Sequence, residues 1–431
     1  MAQYVETKLK EESGDKTLKR SLIRGILGMQ HLIAMFGATV LVPIVTGLDT
    51  SVALFTAGVG TLIFHLCTKG KVPAFLGSSF AFIPVIQLVM TEYGDLRYAQ
   101  GGMFVAGLVY VVASFLIKRI GVSRIRSILP AQVVGPMIIV IGLNLIPTAL
   151  DMAGLNAFIA GEDGASTSLI IAVITLGLAL IIKKIGKGFI SQLSILLAVI
   201  IGYVISLALG QIDVSVIQSA SFIATPKFTL PKFEIGAVMI IVPVVLAVFM
   251  EHIGDITTNG QVVGKNFIED PGLNRTLLGD GLATVMASMV GGPANTTYGE
   301  NTGVLAITKN YDPSILRITA VFAIILSFVD KFGAVVRTIP SAVMGGISIM
   351  LFSMIAVIGV KTIKNEKVKF NAKNIIVMAS VIVIGLSGLV LSEPIGINIT
   401  KTVGISGLSL AALVGVIVNA ILTNVLPNER A

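Results

Sequence analysis

Apolar runs of about 20 residues, the length that crosses a bilayer as a helix, recur along this chain from Ile26 to Leu426. In lipid every backbone polar group must find an internal partner, which leaves helices or closed barrels. Runs of this length are helical, and they divide into fourteen segments. The first covers 27–48, the third 74–90, the eighth 235–256 and the last 403–426. Charged residues make up 13% of the chain, against about 25% in a soluble domain. The expected fold class is therefore an all-α polytopic membrane protein. One cysteine, Cys67, rules out an internal disulfide. The first 24 residues are charged and the first apolar run is a full span, so no secretory signal is read. Residues 1–24 are expected as a loose cytoplasmic tail.

Fourteen spans place both termini on one side. Of the 31 Lys and Arg residues, 25 fall on the terminal side. The other six are Arg97, Lys227, Lys232, Lys331, Arg337 and Lys401. The positive-inside rule then puts both termini in the cytoplasm. The net charge of +8 is a topology signal and gives no reason to expect a nucleic-acid partner.

Two segments are not simple helices. The third is interrupted by Gly77-Ser78-Ser79. The tenth runs Gly291-Gly292-Pro293-Ala294-Asn295-Thr296-Thr297-Tyr298-Gly299-Glu300-Asn301-Thr302-Gly303. Broken backbone at membrane depth is tolerated only where it is buried in protein or lines a cavity. An ionisable residue there marks a functional site by default, and Glu300 is such a residue. Glu251 is another, with Asp255 one turn further on the same face. Half-helix ends expose free backbone N–H and C=O groups. Ser78, Ser79, Thr296 and Thr297 add hydroxyls, and Phe80 and Tyr298 add flat apolar faces. Glu251 and Glu300 accept hydrogen bonds when ionised and donate when protonated. A planar heterocycle with N–H donors and C=O acceptors fits this set better than a sugar or a metal. Withdrawal from water disfavours a charged carboxylate, so Glu251 and Glu300 are candidate proton carriers. His65 and His252 read as incidental, His252 lying off the face of Glu251 and Asp255.

An internal repeat is visible. Pro130-Ala131-Gln132-Val133-Val134-Gly135 and Pro340-Ser341-Ala342-Val343-Met344-Gly345 each follow an Arg-x-Ile (Arg126 and Ile128; Arg337 and Ile339). Gly77-Ser78-Ser79-Phe80 likewise mirrors Thr296-Thr297-Tyr298-Gly299. The offsets are 210 and roughly 218, about half the chain. A repeat of seven spans is odd, so the second copy enters the membrane inverted. Interrupted segments at matching positions of inverted halves point to a transporter's binding site.

Glu300-Asn301-x-Gly303-x-x-x-x-Thr308-Lys309 resembles the signature of the nucleobase–ascorbate transporters. Gln30-His31 and Ser78-Ser79-Phe80-Ala81-Phe82 are also similar to that family, closest to its bacterial uracil permeases. The resemblance runs from about Gln30 to the final span. It implies fourteen segments in two inverted repeats of seven, with short antiparallel strands in spans 3 and 10. It also implies a core domain (25–120 and 234–332), a gate domain (121–233 and 333–431) and a homodimer. By the same resemblance, Glu251 and Glu300 hold the ring N–H groups of uracil. Backbone at Phe80 and Gly299 takes its carbonyls, Ala38 and Tyr298 pack on the ring, and Ser79 lines the site. Proton coupling then involves Glu251, Asp255, Glu300 and His31, with no cofactor and no metal. The chain departs from the pattern at Asp255, where uracil permeases carry histidine, and at Phe352, where they carry tyrosine. Aspartate at 255 resembles the purine and ascorbate branches, but those carry glutamine rather than Glu300. The alternatives are a xanthine or urate permease of the same fold, with Na⁺ as a second coupling ion, and an anion transporter or channel. No nucleophile–base set, metal-ligand cluster or phosphate loop points to an enzyme.

Overall fold

The computed structural model describes residues 2–121, 124, 130–391, 393–398 and 404–425. Arg126, Ile128, Lys401, Val403, Leu426 and Arg430, on which parts of the sequence reading rest, lie outside them.

The chain is built of helices. Leaving aside several short helices of eight residues or fewer, they are in order α1 (Ala2–Thr46), α2 (Thr50–Cys67), α3 (Phe80–Tyr93), α4 (Leu96–Ile120), α5 (Ala131–Met152), α6 (Ala165–Ile185) and α7 (Ser194–Ala208). Then come α8 (Ile235–Val263), α9 (Leu273–Met289), α10 (Gly299–Thr308), α11 (Pro313–Ser327), α12 (Ser341–Asn365), α13 (Ala372–Gly385) and α14 (Gly407–Val425). Four strands join them: β1 (Leu76–Ser78), β2 (Asn295–Thr297), β3 (Gly396–Asn398) and β4 (Gly404–Ser406). Among the described residues seven helices are long and apolar enough to cross a membrane, or eight if α11 counts with Asp330–Arg337. Those two are bent by 81° to one another.

Local chemistry sets the helix ends. Asp49 caps α2 by accepting from the Val52 N–H at 2.9 Å. Asp95 caps α4 through Arg97 N–H, and Asp312 caps α11 through Ser314 N–H, each at 2.9 Å. These side chains satisfy N–H groups that a helix start leaves free. Apolar side chains point outward in numbers no soluble protein carries: Phe115 is 60% exposed and Val173 61%.

Packing falls into two sets. In one, α9 lies against α4 and α2, while α11 lies against α2 and α1. In the other, α12 lies against α5 and α6, α13 against α14 and α5, and α7 against α6. Small residues bring the backbones together, as lipid-embedded helices require. A Cβ at Gly58 would stand 2.6 Å from the Ala320 carbonyl oxygen, so α2 and α11 could not meet with any other residue there.

The structure corrects several boundaries. The basic stretch before the first span is helical and continuous with α1, not loose. The last span starts at Gly407, behind an unforeseen hairpin in which Ile397 pairs with Ile405. The stretch between the eleventh and twelfth segments, expected as a loop, holds a short helix, Asp330–Arg337, bent sharply from α11.

Strands β1 and β2 pair antiparallel, as expected for the two broken segments, with Leu76 opposite Thr297, Gly77 opposite Thr296 and Ser78 opposite Asn295. Their surroundings repeat. Ser79 N–H donates to Ala294 O, and Tyr298 N–H donates to Phe75 O, both at 2.9 Å. Ser79 and Tyr298 are 219 residues apart, as are Phe75 and Ala294, so one bond maps onto the other. Leu76 N–H donates to Thr61 Oγ1 of α2 at 2.9 Å, and Asn295 N–H to Thr284 Oγ1 of α9 at 3.2 Å. A local two-fold axis therefore passes through the Gly77–Thr296 pair.

Candidate substrate site

Immediately after the strand pair the backbone turns into two half-helices, α3 from Phe80 and α10 from Gly299. Ser79 and Tyr298 spend their N–H groups on the opposing segment. The N–H groups that follow open the helices, where the first turn has no intrahelical acceptor. Both N-termini carry the positive end of a helix dipole. Phe80 is half-buried and Glu300 sits in the first turn of α10.

Helix α8 supplies the acids facing these termini. Asp255 reaches the β2–α10 junction. Thr297 Oγ1 lies 3.4 Å from Asp255 Oδ2, and a Cβ added to Gly299 would stand 3.9 Å from Asp255 Oδ1. Glu251, Asp255 and Glu300 lie close enough to repel one another's charge, with Asp280 behind them. The structure thus gathers the three carboxyl groups singled out from the sequence, although they come from α8 and α10.

The aromatic wall is also assembled. Ala38, Met35, Phe75 and Tyr298 share one buried cluster, and Phe80 packs against it. The Tyr298 hydroxyl donates to Ser78 O at 2.9 Å, and its ring covers Gly77, where a Cβ would meet it at 2.2 Å. Tyr298 therefore ties β2 to β1 as well as flanking the site. His31 is 1% exposed and lies beside Asn301 of α10 without hydrogen-bond geometry. Several buried polar atoms around the crossing have no hydrogen-bond partner among the described residues: His31 Nδ1, Ser79 Oγ, Thr296 Oγ1 and both side-chain polar atoms of Asn301. Phe352 is fully buried in the second packing set and brings no hydroxyl.

Sequence reasoning missed one pair. His252, read as incidental, is 1% exposed and bonded at both ring nitrogens, to Asp280 Oδ2 at 2.8 Å and Thr276 Oγ1 at 2.9 Å. Its side chain does leave the face of Glu251 and Asp255, but toward α9. The available signal was Asp280, a carboxylate inside an apolar span. His65 bonds Ala74 O at 3.0 Å and links the end of α2 to the segment before β1.

Residues 24–393 match the Permease family. The chain is 43% identical over 405 residues to the uracil permease of Bacillus caldolyticus, covering 92% of this chain and 91% of that protein. It is 41% identical over 401 residues to the probable uracil permease of Pasteurella multocida (strain Pm70), covering 93% of each. Against the uracil permease of Escherichia coli (strain K12) the identity is 38% over 392 residues, covering 90% and 89%. In fold it is similar to the transmembrane domain of a cyanobacterium bicarbonate transporter, BicA. That match has a TM-score of 0.60 at 16% identity and covers 93% of this chain and 97% of that one. The murine Solute Carrier 26 family member A9 anion transporter, in its inward-facing state, gives 0.69 at 12% identity, covering 95% and 69%. Family and relatives are permeases, not enzymes, and the chain belongs to the Permease family, the nucleobase–ascorbate transporters that its motifs resemble.

Proposed function

We propose that this protein is a uracil permease, a secondary active symporter that imports uracil with a proton across the bacterial inner membrane. The observation that carries the reading is the juxtaposition at the β1–β2 crossing. Two half-helix N-termini and two carboxylates, Glu251 and Glu300, converge beside the aromatic wall of Phe80 and Tyr298. Uracil is flat and apolar on its faces, with N–H donors and carbonyl acceptors at its edge. Glu251 and Glu300 accept from the ring N–H groups. The backbone N–H groups of Phe80 and Gly299 donate to its carbonyls. Ala38, Phe80 and Tyr298 pack on the ring, and Ser79 offers a further hydroxyl.

Protons ride on the carboxyl cluster. Three acids in mutual repulsion take up a proton on the side where protons are plentiful, and Asp255 and His31 adjust its release. The packing pattern supports fourteen spans in two inverted repeats. Core helices α1–α4 and α8–α11 move against gate helices α5–α7 and α12–α14, so that the site opens to each side in turn. Both termini lie in the cytoplasm, the protein works in its lipid bilayer as a homodimer, and it needs no nucleic acid, cofactor or metal.

A second reading rests on Asp255. Aspartate at that position resembles purine permeases, and paired carboxylates also suit Na⁺. Radiolabelled uracil uptake into proteoliposomes tests both, under an inward proton gradient or an inward Na⁺ gradient, with unlabelled xanthine as competitor. Proton-driven uptake insensitive to xanthine is expected. Xanthine-sensitive or Na⁺-driven uptake would move the assignment to the second reading.

A further inference from the structure

We propose that His252 is a positioning residue of the transport site, clamped by Thr276 and Asp280 of α9 so that α8 holds Glu251 at one rotation. The proposal rests on the uracil permease reading. Its basis is the hydrogen-bond pattern around the imidazole. Thr276 Oγ1 has one proton, with Leu273 O 3.0 Å away to accept it. Its contact with His252 Nε2 at 2.9 Å is a second hydrogen bond, donated by the imidazole N–H or by the hydroxyl according to the tautomer. That leaves Nδ1, 2.8 Å from Asp280 Oδ2. Two bare lone pairs would repel at that distance, so one proton lies between them, on the imidazole or on the carboxyl.

Thr276 and Asp280 are one turn apart on α9 and grip the ring from both edges. Both partners of the ion pair are almost wholly buried, with 1% and 3% of their side chains exposed. Since His252 follows Glu251 directly, the rotation that seats the imidazole on α9 also turns Glu251 toward the crossing. The titratable groups around the pair are Tyr110 of α4, Cys67 at the end of α2, and Glu251, Asp255 and Glu300 on the substrate side. Tyr110 Oη and Asp280 Oδ1 are buried without a hydrogen-bond partner among the described residues.

Two variants test this in proteoliposomes, with uracil and xanthine both offered. H252L removes both bonds and leaves Asp280 buried without its partner; it should raise KM for uracil about tenfold or more, with a smaller change in maximal rate. The double variant H252Q/D280N replaces the charged pair by two neutral amides. It should recover to within about threefold of wild type, because replacing both buried partners is far milder than removing one. Its pH profile should superimpose on that of wild type. Size-exclusion chromatography and calorimetric uracil binding accompany each assay. An H252L protein with wild-type KM overturns the clamp. So does a double variant that is monodisperse but fails to bind uracil. A double variant that binds uracil yet moves it with a shifted pH profile would make the pair a carrier of the transported proton. If H252L aggregates, the double variant decides alone on the same criteria. A wild-type protein that takes up xanthine and not uracil refutes the substrate reading, and the same KM comparison made on xanthine then judges the clamp.

Discussion

The two arms that cross at β1 and β2 share a backbone and differ in chemistry. Under an offset of 219, Gly77 maps on Thr296, Ser78 on Thr297, Ser79 on Tyr298, Phe80 on Gly299 and Ala81 on Glu300. The supporting contacts map too. Ser78 Oγ donates to Thr39 O of α1 at 3.1 Å, while Thr297 Oγ1 faces Asp255 of α8 at 3.4 Å. In the first arm the neighbouring helix offers a backbone carbonyl, and in the second a carboxyl group. Symmetry supplies two helix N-termini around one point. The acids, Glu251, Asp255 and Glu300, all come from the second half. Backbone scaffold and acidic side chains are thus separate features of the crossing, and mutation can separate them.

The largest effects belong to the acidic arm. Glu300→Gln and Glu251→Gln are each expected to reduce proton-driven uracil uptake by about a hundredfold, the scale of a lost hydrogen bond to a charged group at about 1.5–3 kcal/mol. Initial rates of radiolabelled uptake measure this. The mirror position should respond weakly. Ala81→Ser adds a hydroxyl at a helix start, where a backbone partner is at hand, and uptake should stay within about threefold. Comparable losses at 81 and 300 would mean that both arms carry the chemistry.

The scaffold breaks in the opposite direction. At Gly77 an added Cβ would meet the Tyr298 ring at 2.2 Å, whereas its mirror Thr296 already carries a side chain. Gly77→Ala should destabilise the protein by about 1–3 kcal/mol, the usual cost of overpacking. Thr296→Ala, which removes an unpartnered hydroxyl, should cost less than about 1 kcal/mol. Thermal unfolding in detergent ranks the two. Equal shifts would show that β1 and β2 bear the crossing alike.

Asp255 sharpens the comparison further, since it is where α8 touches the second arm and where the chain leaves the uracil permease pattern. Asp255→His is expected to keep uptake within about threefold, because a histidine can still bond the Thr297 hydroxyl. The pH dependence of uptake should change, since an acid is exchanged for a base beside Glu251 and Glu300. Abolished uptake at every pH would make Asp255 indispensable to substrate binding.

Much of this was legible in the sequence because lipid makes exceptions conspicuous. A carboxylate such as Glu300 or a triplet such as Gly77-Ser78-Ser79 inside an apolar run has few bland explanations, and both now stand at the crossing. The antiparallel strands followed from the family resemblance alone. Features that depend on partners far away in sequence were hidden. His252 meets Asp280, 28 residues on, and nothing in α8 alone indicates that its ring turns to α9. The short helix after Ser327 was hidden because Asp330, Lys331 and Arg337 read as a loop between two spans. The β3–β4 hairpin was masked because Gly404–Ser406 read as the start of the last span.

The smallest effects are expected at the caps, where the halves match once more. Asp95 caps α4 and Asp312 caps α11, and both are ion-paired: Asp95 with Arg97 at 2.9 Å and with Lys232 at 3.0 Å, Asp312 with Arg24 at 2.8 Å. Bonds from Arg97 and then Lys232 hold the Asp95 carboxyl well below its ordinary value. For Asp312 burial pushes upward, but the bonds from Ser314 and the charge of Arg24 prevail, and the net direction is also down. A carboxyl lowered on folding contributes stability above its unfolded pKa, and that contribution is lost as pH falls through the folded value. Both caps should therefore act fully at neutral pH and weaken only in acid below about 4. Exposed pairs of this kind contribute at most about 1 kcal/mol, screened by salt. Asp95→Asn and Asp312→Asn should each lower the unfolding temperature slightly at pH 7 and leave it unchanged in strong acid, where the wild-type carboxyls are neutral as well. The positive-inside reading puts the two caps on opposite faces of the membrane. A membrane-impermeant acid pulse from one side should then erase the contribution of one cap and spare the other, and loss of both together would break the inverted arrangement.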